Sequence, residues 1–331
     1  MTNTENQYFY RKVLRIGLPM AGAQLITSLL SVIDTFMVSS LGDLPLAAVG
    51  IGANFGFFLI MVMFGFLSGL GIFIAQFWGS KDIKSIHKVF IITVIIGAVL
   101  STTFFLIVHF NPAMIISLYN NGDSVIEQYW IEFYGVKYLT IISFSYFTMT
   151  ASFVVMMLMR SVERVWFPTL VSMFTVLLNT FLNYLLIKGN YGFPALGVEG
   201  AAIATVISGA SGTLFLVGFM ILSKEEVYKV KFRRIKEISR EFVSMLSKKA
   251  LPVAINETVW GLGMSAYLMA IGFISADAIA SVQISNQIMG LFWVANAGIS
   301  TACAIMIGNK LGENNLELAK QWGKKLLNLV L

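Results

Sequence analysis

Asp34 is the ionisable side chain best placed for ion chemistry, because it lies inside a long apolar segment where a charge needs a specific reason. Two amides, Asn179 and Asn183, are four residues apart and so share one face of a helix. Thr205 adds a hydroxyl, and Ala201, one turn earlier, adds a backbone carbonyl. Oxygen atoms of these types bind a hard cation such as Na⁺, or hold a carboxyl that exchanges a proton. The five residues therefore predict a cation site, with Na⁺ as the metal ion expected at Asp34, Asn179, Asn183 and Thr205.

The composition sets the environment in which such a site must work. Hydrophobic residues make up 57% and charged residues 12% of the 331 positions, whereas a soluble domain carries about 25% charged residues. So few charges cannot cover a soluble globule of this length, but they suit contact with lipid. The single cysteine, Cys303, cannot form an intramolecular disulfide and excludes a cysteine-based metal site. No cofactor is expected apart from a coupling ion.

Eight apolar segments are long enough to cross a hydrocarbon core about 30 Å thick, which needs roughly 20 helical residues. Their continuous runs of Leu, Ile, Phe and Met favour helices. The predicted fold class is an all-α, polytopic membrane helix bundle. The predicted spans are residues 14–39, 46–78, 89–110, 126–159, 167–187, 197–222, 246–273 and 278–307. A ninth helix is predicted to begin near Glu317.

Equal depth in the membrane would bring the oxygen-rich residues together. Asp34 lies about five residues from the outer end of span one, roughly 8 Å at the helical rise per residue. Span five runs in the same direction and places Asn183 at a similar depth, and span six returns inward with Thr205 at the matching level. The alternative is that Ser31 or Thr35 caps Asp34 locally and the carboxylate only packs, which leaves the two amides unexplained.

The basic residues predict the orientation, because cytoplasmic loops hold most Lys and Arg near span ends. All 23 basic residues except Lys137 and Lys188 lie before or in the first turn of span one, between an even-numbered span and the first turn of the next, or after span eight. The N-terminus is therefore expected in the cytoplasm, in a multi-pass protein of the plasma membrane of the prokaryotic inner-membrane type. This topology also explains the net charge of +6 and the basic stretch 224–249, so nucleic acid is not an expected partner.

An internal repeat relates the two ends of the chain. A shift of 233 residues carries a sequence match through two spans in one register. The aligned pairs include Pro19 with Pro252, Gly65 with Gly298, and Gly79 with Gly312. Since six spans separate the copies, both begin on the same side of the membrane, which defines a parallel repeat about an axis along the membrane normal. Two-lobed transporters are built in this way.

The repeat divides the chain into three parts. Residues 1–222 are predicted to form an N-terminal lobe of six transmembrane helices. Residues 223–245 form a basic cytoplasmic linker. Residues 246–331 begin a C-terminal lobe that is incomplete, with spans seven and eight and part of a ninth helix.

Short motifs occur in a fixed order along the chain. The first are Gly17-Leu18-Pro19 through Ile33-Asp34-Thr35, then Leu46-Ala47-Ala48-Val49-Gly50, followed by Gly69, Gly71, Gln76 and Gly79. Later motifs are Arg160-Ser161 before Pro168, Asn179 with Asn183, and the run from Gly197 to Thr205. This order resembles the multidrug and toxic compound extrusion (MATE) family over essentially the whole chain. The resemblance implies two six-helix lobes, of which this sequence lacks the final helices, and an N-lobe cation site at Asp34, Asn179, Asn183, Ala201 and Thr205.

The resemblance also implies a second cation or substrate site around Glu257. Its place in span seven matches a glutamate found in part of the family. Gln24 is its counterpart in the repeat, and Gln283 is a further amide expected there. The alternative is that Glu257 bonds Asn256 or Thr258 and faces water between the lobes.

Two prolines interrupt backbone hydrogen bonding inside predicted spans. Pro19 lies in span one and Pro252 in span seven. Each can kink its helix and is a candidate hinge. A static packing bend explains them equally well.

The motifs and the oxygen-rich set together predict an antiporter driven by H⁺ or Na⁺. It would export small molecules, cationic or amphiphilic drugs and toxins, by alternating access across the lipid bilayer. One alternative is a lipid-linked saccharide flippase of related architecture, which needs several basic residues in its spans to hold pyrophosphate, whereas Lys137 is the one present away from the span ends. A membrane receptor or channel is an alternative of another class. An enzyme is not expected, because the spans hold no nucleophile with its base.

Overall fold

The computed structural model describes residues 3–118, 124–272 and 298–330, together with positions 289, 294 and 296. Within these residues the regular elements are helices, as the sequence predicts. The α-helices are α1 Asn3–Ser39, α2 Asp43–Gly79, α3 Ile83–Phe110, α4 Pro112–Ser117, α5 Val125–Ile142, α6 Ser145–Ser161, α7 Trp166–Leu186, α8 Val198–Leu222, α9 Arg240–Gly272, α10 298–312 and α11 Leu316–Val330. Two short 3₁₀ helices cover Asn190–Gly192 and Phe232–Glu237.

Most of the predicted spans correspond to helices that are apolar enough to cross a membrane. In the described part of the chain these are α1, α2, α3, α7 and α8, and the bent pair α5 and α6 forms a sixth span. Predicted span seven corresponds to α9. This helix is not among those apolar enough to cross a membrane, and it carries Lys248, Lys249 and Glu257. Span eight lies largely outside the described residues, and its end belongs to α10. The helix expected near Glu317 is α11.

The span predicted over residues 126–159 is formed by two helices, α5 and α6, rather than by one continuous helix. The chain bends by 46° between α5 and α6. At the bend the Phe144 amide bonds to the Ile141 carbonyl, so the Thr140 carbonyl loses its helical donor. That carbonyl lies 3.2 Å from Nδ1 of His109 and accepts a hydrogen bond from the Ser143 hydroxyl at 2.9 Å. Side chains inserted into the helical ladder are a general cause of such bends.

Helix α2 lies at the centre of the described bundle. It packs against α3, α5 and α6 on one side and along α9 on the other. Leu59, Met63 and Ile74 of α2 are buried in the main core. On the remaining side, α7 packs closely on α8, and α1 packs mainly on α7. This arrangement brings α1, α7 and α8 together, which are the helices of the predicted cation site.

The backbone itself carries the repeat. The turn after α2 has Lys81 at φ 61°, and the turn after α10 has Asn314 at φ 58°, which is the same left-handed conformation 233 positions later. The next residue caps the following helix in both copies. Asp82 Oδ1 accepts from the Ser85 amide at 3.1 Å, and Asn315 Oδ1 accepts from the Leu318 amide at 3.1 Å. Helix α11 is therefore the counterpart of the start of α3.

The contacts between the two copies are reciprocal. A Cβ placed on Gly65 of α2 would lie 2.7 Å from the Cα atom of Ala254 in α9, and one on Gly298 of α10 would lie 3.3 Å from Cβ of Ala21 in α1. These two pairs exchange under the 233-residue shift. Such exchange is the property of an interface with two-fold symmetry. The pair of Gly79 with Asn309 and the pair of Gly312 with Gln76 exchange in the same way.

Gly65→Ala is expected to destabilise the protein, because the new methyl group meets the backbone of α9 and overpacking costs about 1 to 3 kcal/mol. Gly50→Ala in the same helix is the matched control, since a methyl group there meets no atom within 4 Å. The measurement is thermal unfolding of the purified protein in detergent. Equal melting temperatures for the two variants would contradict the close packing of α2 on α9.

Candidate cation site between α1, α7 and α8

Asp34 finds its partners across a helix interface. It is half-buried on α1, and its Oδ1 accepts a hydrogen bond from the Thr180 hydroxyl of α7 at 3.1 Å. The neighbouring Thr35 hydroxyl donates to the Ser31 carbonyl at 2.9 Å. The local cap by Ser31 or Thr35, which the sequence left open, is therefore not how this carboxylate is held.

The Asn179 amide connects the three helices. In the orientation that matches donors with acceptors, its nitrogen donates to Asp34 Oδ2 at 3.0 Å and its oxygen accepts from the Thr205 backbone amide at 3.2 Å. The Thr205 hydroxyl lies 3.2 Å from the same amide and donates to the Ala201 carbonyl at 3.0 Å. A continuous polar network thus runs from α1 through α7 to α8.

Asn183 lies one helical turn from Asn179 and is 3% exposed. The two side-chain amides are 3.2 Å apart. The other polar atom of the Asn183 amide is buried and has no hydrogen-bond partner in the described part of the chain. A cavity of about 250 Å³ opens beside this residue, between Phe36 of α1 and Tyr184 of α7. The network therefore has one free ligand position and an opening next to it.

The oxygen atoms of this network are suitable ligands for a proton or Na⁺. Carboxylate, amide, hydroxyl and carbonyl oxygens lie within one group, as a hard cation requires. Both oxygens of Asp34 accept hydrogen bonds, from Thr180 and from Asn179, which stabilise the ionised carboxylate. Rotation of the Asn179 amide by 180° would turn its oxygen toward Asp34, which is the arrangement that a bound cation or a protonated carboxyl needs.

Thr180 is the member of the network that the sequence did not reveal. It lies three residues before Asn183 on the same helix, a spacing that places two side chains on one face. A threonine in an apolar helix usually bonds its own backbone, so its type alone gave no signal.

The proposed second site is not assembled in the described residues. Glu257 is half-buried on α9 and packs against Gly65, whereas Gln24 is exposed on α1. No hydrogen bond or ion pair joins these two residues where the structure describes them. Gln283 lies outside the described residues.

The two candidate hinges lie inside continuous helices. Pro19 is inside α1 and Pro252 inside α9, and each helix continues past its proline. Their role in motion remains a prediction.

Curated relatives match most of this chain. Multidrug resistance protein NorM of Burkholderia vietnamiensis is 26% identical over 326 residues, which are 95% of this chain and 66% of the relative. The uncharacterized transporter YisQ of Bacillus subtilis is 25% identical over 287 residues, 86% of this chain and 61% of the relative. The chain thus spans somewhat less than two thirds of the length of these relatives.

Solved structures share the fold. An outward-facing multidrug resistance MATE family transporter of the MOP superfamily superposes with a TM-score of 0.82 at 22% identity, over 96% of this chain and 69% of that one. A MOP superfamily transporter from Pyrococcus furiosus, reported to have a binding pocket of reverse polarity, gives 0.80 at 20% identity with the same coverage. The predicted two-lobed helical architecture is confirmed by these similarities.

The family follows from a match in two segments. A family model described as MatE matches residues 19–185 and 252–331, which is more than half of the chain. The two segments begin at Pro19 and Pro252, the prolines that the repeat aligns. The chain therefore belongs to the MatE family, which is the MATE family that its sequence motifs resemble.

Proposed function

We propose that this protein takes part in cation-coupled export of small cationic or amphiphilic molecules, with H⁺ or Na⁺ as the coupling ion. The observation that carries the proposal is the network of Asp34, Thr180, Asn179 and Thr205 between three apolar helices. An ionisable group inside a membrane span is costly, so a carboxylate held by side chains of another helix is a functional site by default. The name of the Burkholderia relative, a multidrug resistance protein, supports export as the activity.

The Asn179 amide connects Asp34 with α8, so a change in the charge of Asp34 can change the hydrogen bonds of α8. With Asp34 ionised, the amide nitrogen donates to the carboxylate and the amide oxygen accepts from Thr205. With Asp34 protonated, the carboxyl becomes a donor, so the amide turns its oxygen to Asp34 and its nitrogen to the Thr205 hydroxyl, which lies 3.2 Å away. Protonation of one residue on α1 thereby changes the hydrogen bonds made by α8. A bound Na⁺ would require the same amide orientation.

Alternating access requires that the lobes separate at one end while they close at the other. At the N-terminal end of α1, Lys12 pairs with Glu163 at 2.6 Å, and the Asn309 amide of α10 donates to the same carboxylate. Lys12 is only 13% exposed there. This contact, the Lys12–Glu163–Asn309 latch, joins the first lobe to α10 and would have to break in the opposite state.

A buried apolar cluster surrounds the latch. It combines side chains of α1, α10, α11 and the residue before α7. They are Phe9, Val13, Ile16, Val165, Ala302, Ile305, Met306, Trp322 and Leu326. The free energy of closure thus comes from apolar burial, and the latch adds the hydrogen bond that Asn309 donates to the Glu163 carboxylate.

The flippase alternative loses support from the pairing of Lys137. Its ammonium group lies 2.7 Å from the Glu199 carboxylate of α8 and 4.7 Å from the Phe133 ring centre. A lysine that is already paired with a carboxylate is a poor ligand for pyrophosphate. Export of cationic compounds therefore remains the better proposal.

The cellular arrangement is part of the same proposal. We expect a multi-pass protein of the plasma membrane with its N-terminus in the cytoplasm, because basic residues concentrate at the N-terminus and in the linker before α9. In that orientation the latch lies at the cytoplasmic end and Asp34 lies toward the outside. The substrates would be small molecules, and the surrounding partner is the lipid bilayer.

Asp34→Asn is expected to remove coupling, since asparagine can neither take up a proton nor supply the charge that binds Na⁺. Dye efflux from membrane vesicles, driven by an imposed H⁺ or Na⁺ gradient, should fall at least about tenfold, as expected for the loss of a charge-assisted interaction. Asp43→Asn, the same change at the first turn of α2 outside the network, is the control and should keep its efflux. Coupled efflux that survives Asp34→Asn would refute the site, and a lack of efflux in the unaltered chain would refute the export proposal for this polypeptide.

Glu163→Gln is expected to shift the protein toward the state in which the latch is open, because the charge-assisted hydrogen bond that Asn309 of α10 donates to the Glu163 carboxylate becomes a weaker neutral one. Weakening this hydrogen bond costs on the order of 1 kcal/mol, or about fivefold in population. Cys303, the single cysteine, is half-buried beside the apolar cluster and reports the opening through its rate of labelling by N-ethylmaleimide. Glu225→Gln is the control, since it breaks an exposed pair with Arg164 that does not involve α10. Unchanged labelling in Glu163→Gln would show that the latch does not hold the lobes.

A further inference from the structure

A second cavity lies on a different face of the first lobe, away from Asp34. Helix α6 packs against both α3 and α8, and the segment 228–232 of the linker lies across the ends of these helices. The space between them has a volume of about 570 Å³, a size typical of small-molecule sites. Its lining is mostly apolar, with Phe90 and Val94 of α3, Phe147 and Val154 of α6, and Val217 of α8.

Two buried hydroxyl groups line this cavity without partners. Tyr228 is 3% exposed and Thr150 is 4% exposed. Neither hydroxyl has a hydrogen-bond partner in the described part of the chain. Burial raises the pKa of Tyr228 to about 12, so its hydroxyl stays a donor at neutral pH. Since buried polar groups are normally paired, the Tyr228 hydroxyl, at the linker end of the cavity, indicates an occupant that brings an acceptor oxygen.

Positive charge is concentrated at the linker end of the cavity. Lys229 is exposed and lines the cavity directly, and Lys231 and Arg233 follow it. One guanidinium nitrogen of Arg234 is buried without a partner among the described residues. Of the nearby acidic residues, Glu225 is already paired with Arg164 at 2.6 Å. This end therefore suits an anion and disfavours a cationic substrate.

We propose that the cavity binds one anionic phospholipid, with an acyl chain between α3, α6 and α8 and the phosphate at Lys229 and the Tyr228 hydroxyl. The position fits this ligand, because the linker lies where α8 ends, at the level where a span gives way to headgroups. Ile221 and Leu222 beside the opening are exposed apolar residues that face such a surface. Basic pockets between transmembrane helices are known to hold anionic headgroups.

The test is native mass spectrometry of the full chain in detergent, with dioleoylphosphatidylglycerol as the probe and dioleoylphosphatidylcholine as competitor. One phosphatidylglycerol per chain is expected, retained about fivefold better than phosphatidylcholine, the effect of about one cationic contact near the membrane surface. Lys229→Gln should abolish this preference. Lys236→Gln, a change of another exposed lysine of the linker that does not line the cavity, should keep it.

A second pair of variants tests the place of the acyl chain. Ala98 lines the cavity from the exposed face of α3, so Ala98→Phe should fill the groove and lower retention of both lipids about tenfold. Val99→Phe is the control, because Val99 is 60% exposed and does not line the cavity. Equal retention of the two lipids by the unaltered chain would overturn the headgroup assignment. Unchanged retention in Ala98→Phe would overturn the groove.

Discussion

A carboxylate inside an apolar helix must be satisfied by other protein groups, because the hydrocarbon core offers no water. In this protein the constraint falls on Asp34, and it is met by Thr180 and Asn179 of α7. Asn179 in turn bonds Thr205 of α8. The hydrogen bonds that stabilise the Asp34 carboxylate therefore depend on how α1, α7 and α8 pack together. In the proposed mechanism, a change in the protonation of Asp34 alters contacts between helices, as coupling to transport requires.

Close packing between the lobes has a different physical basis. Lipid is as apolar as leucine, so helices in a membrane gain most from short contacts between small residues. Gly65 against Ala254 and Gly298 against Ala21 are such contacts, and they exchange under the repeat. The same symmetry extends to the backbone turns at Lys81 and Asn314. The repeat thus fixes both the fold of each copy and the way in which the copies meet.

The basic linker also lines a cavity of the first lobe. Its basic residues were predicted to set orientation, and the structure adds that Tyr228 and Lys229 line an apolar cavity. Topology and lipid contact can share the same side chains, since anionic headgroups and the positive-inside rule act at the same side of the membrane. This cavity is separate from the Asp34 network, so the lipid proposal does not depend on the proposed ion coupling.

The helical class, most spans, the repeat and the family could be predicted from the amino-acid sequence, because apolar run length and motif order are local properties of the chain. The sequence also selected Asp34, Asn179, Asn183 and Thr205 by residue type and expected depth. Only the tertiary structure revealed the bend at Ser143, because that bend depends on His109 of another helix. The same holds for Thr180 as a partner of Asp34 and for Glu163 as a link to Asn309. A side chain's partner across an interface depends on helix rotation and packing, which hydropathy and spacing do not encode.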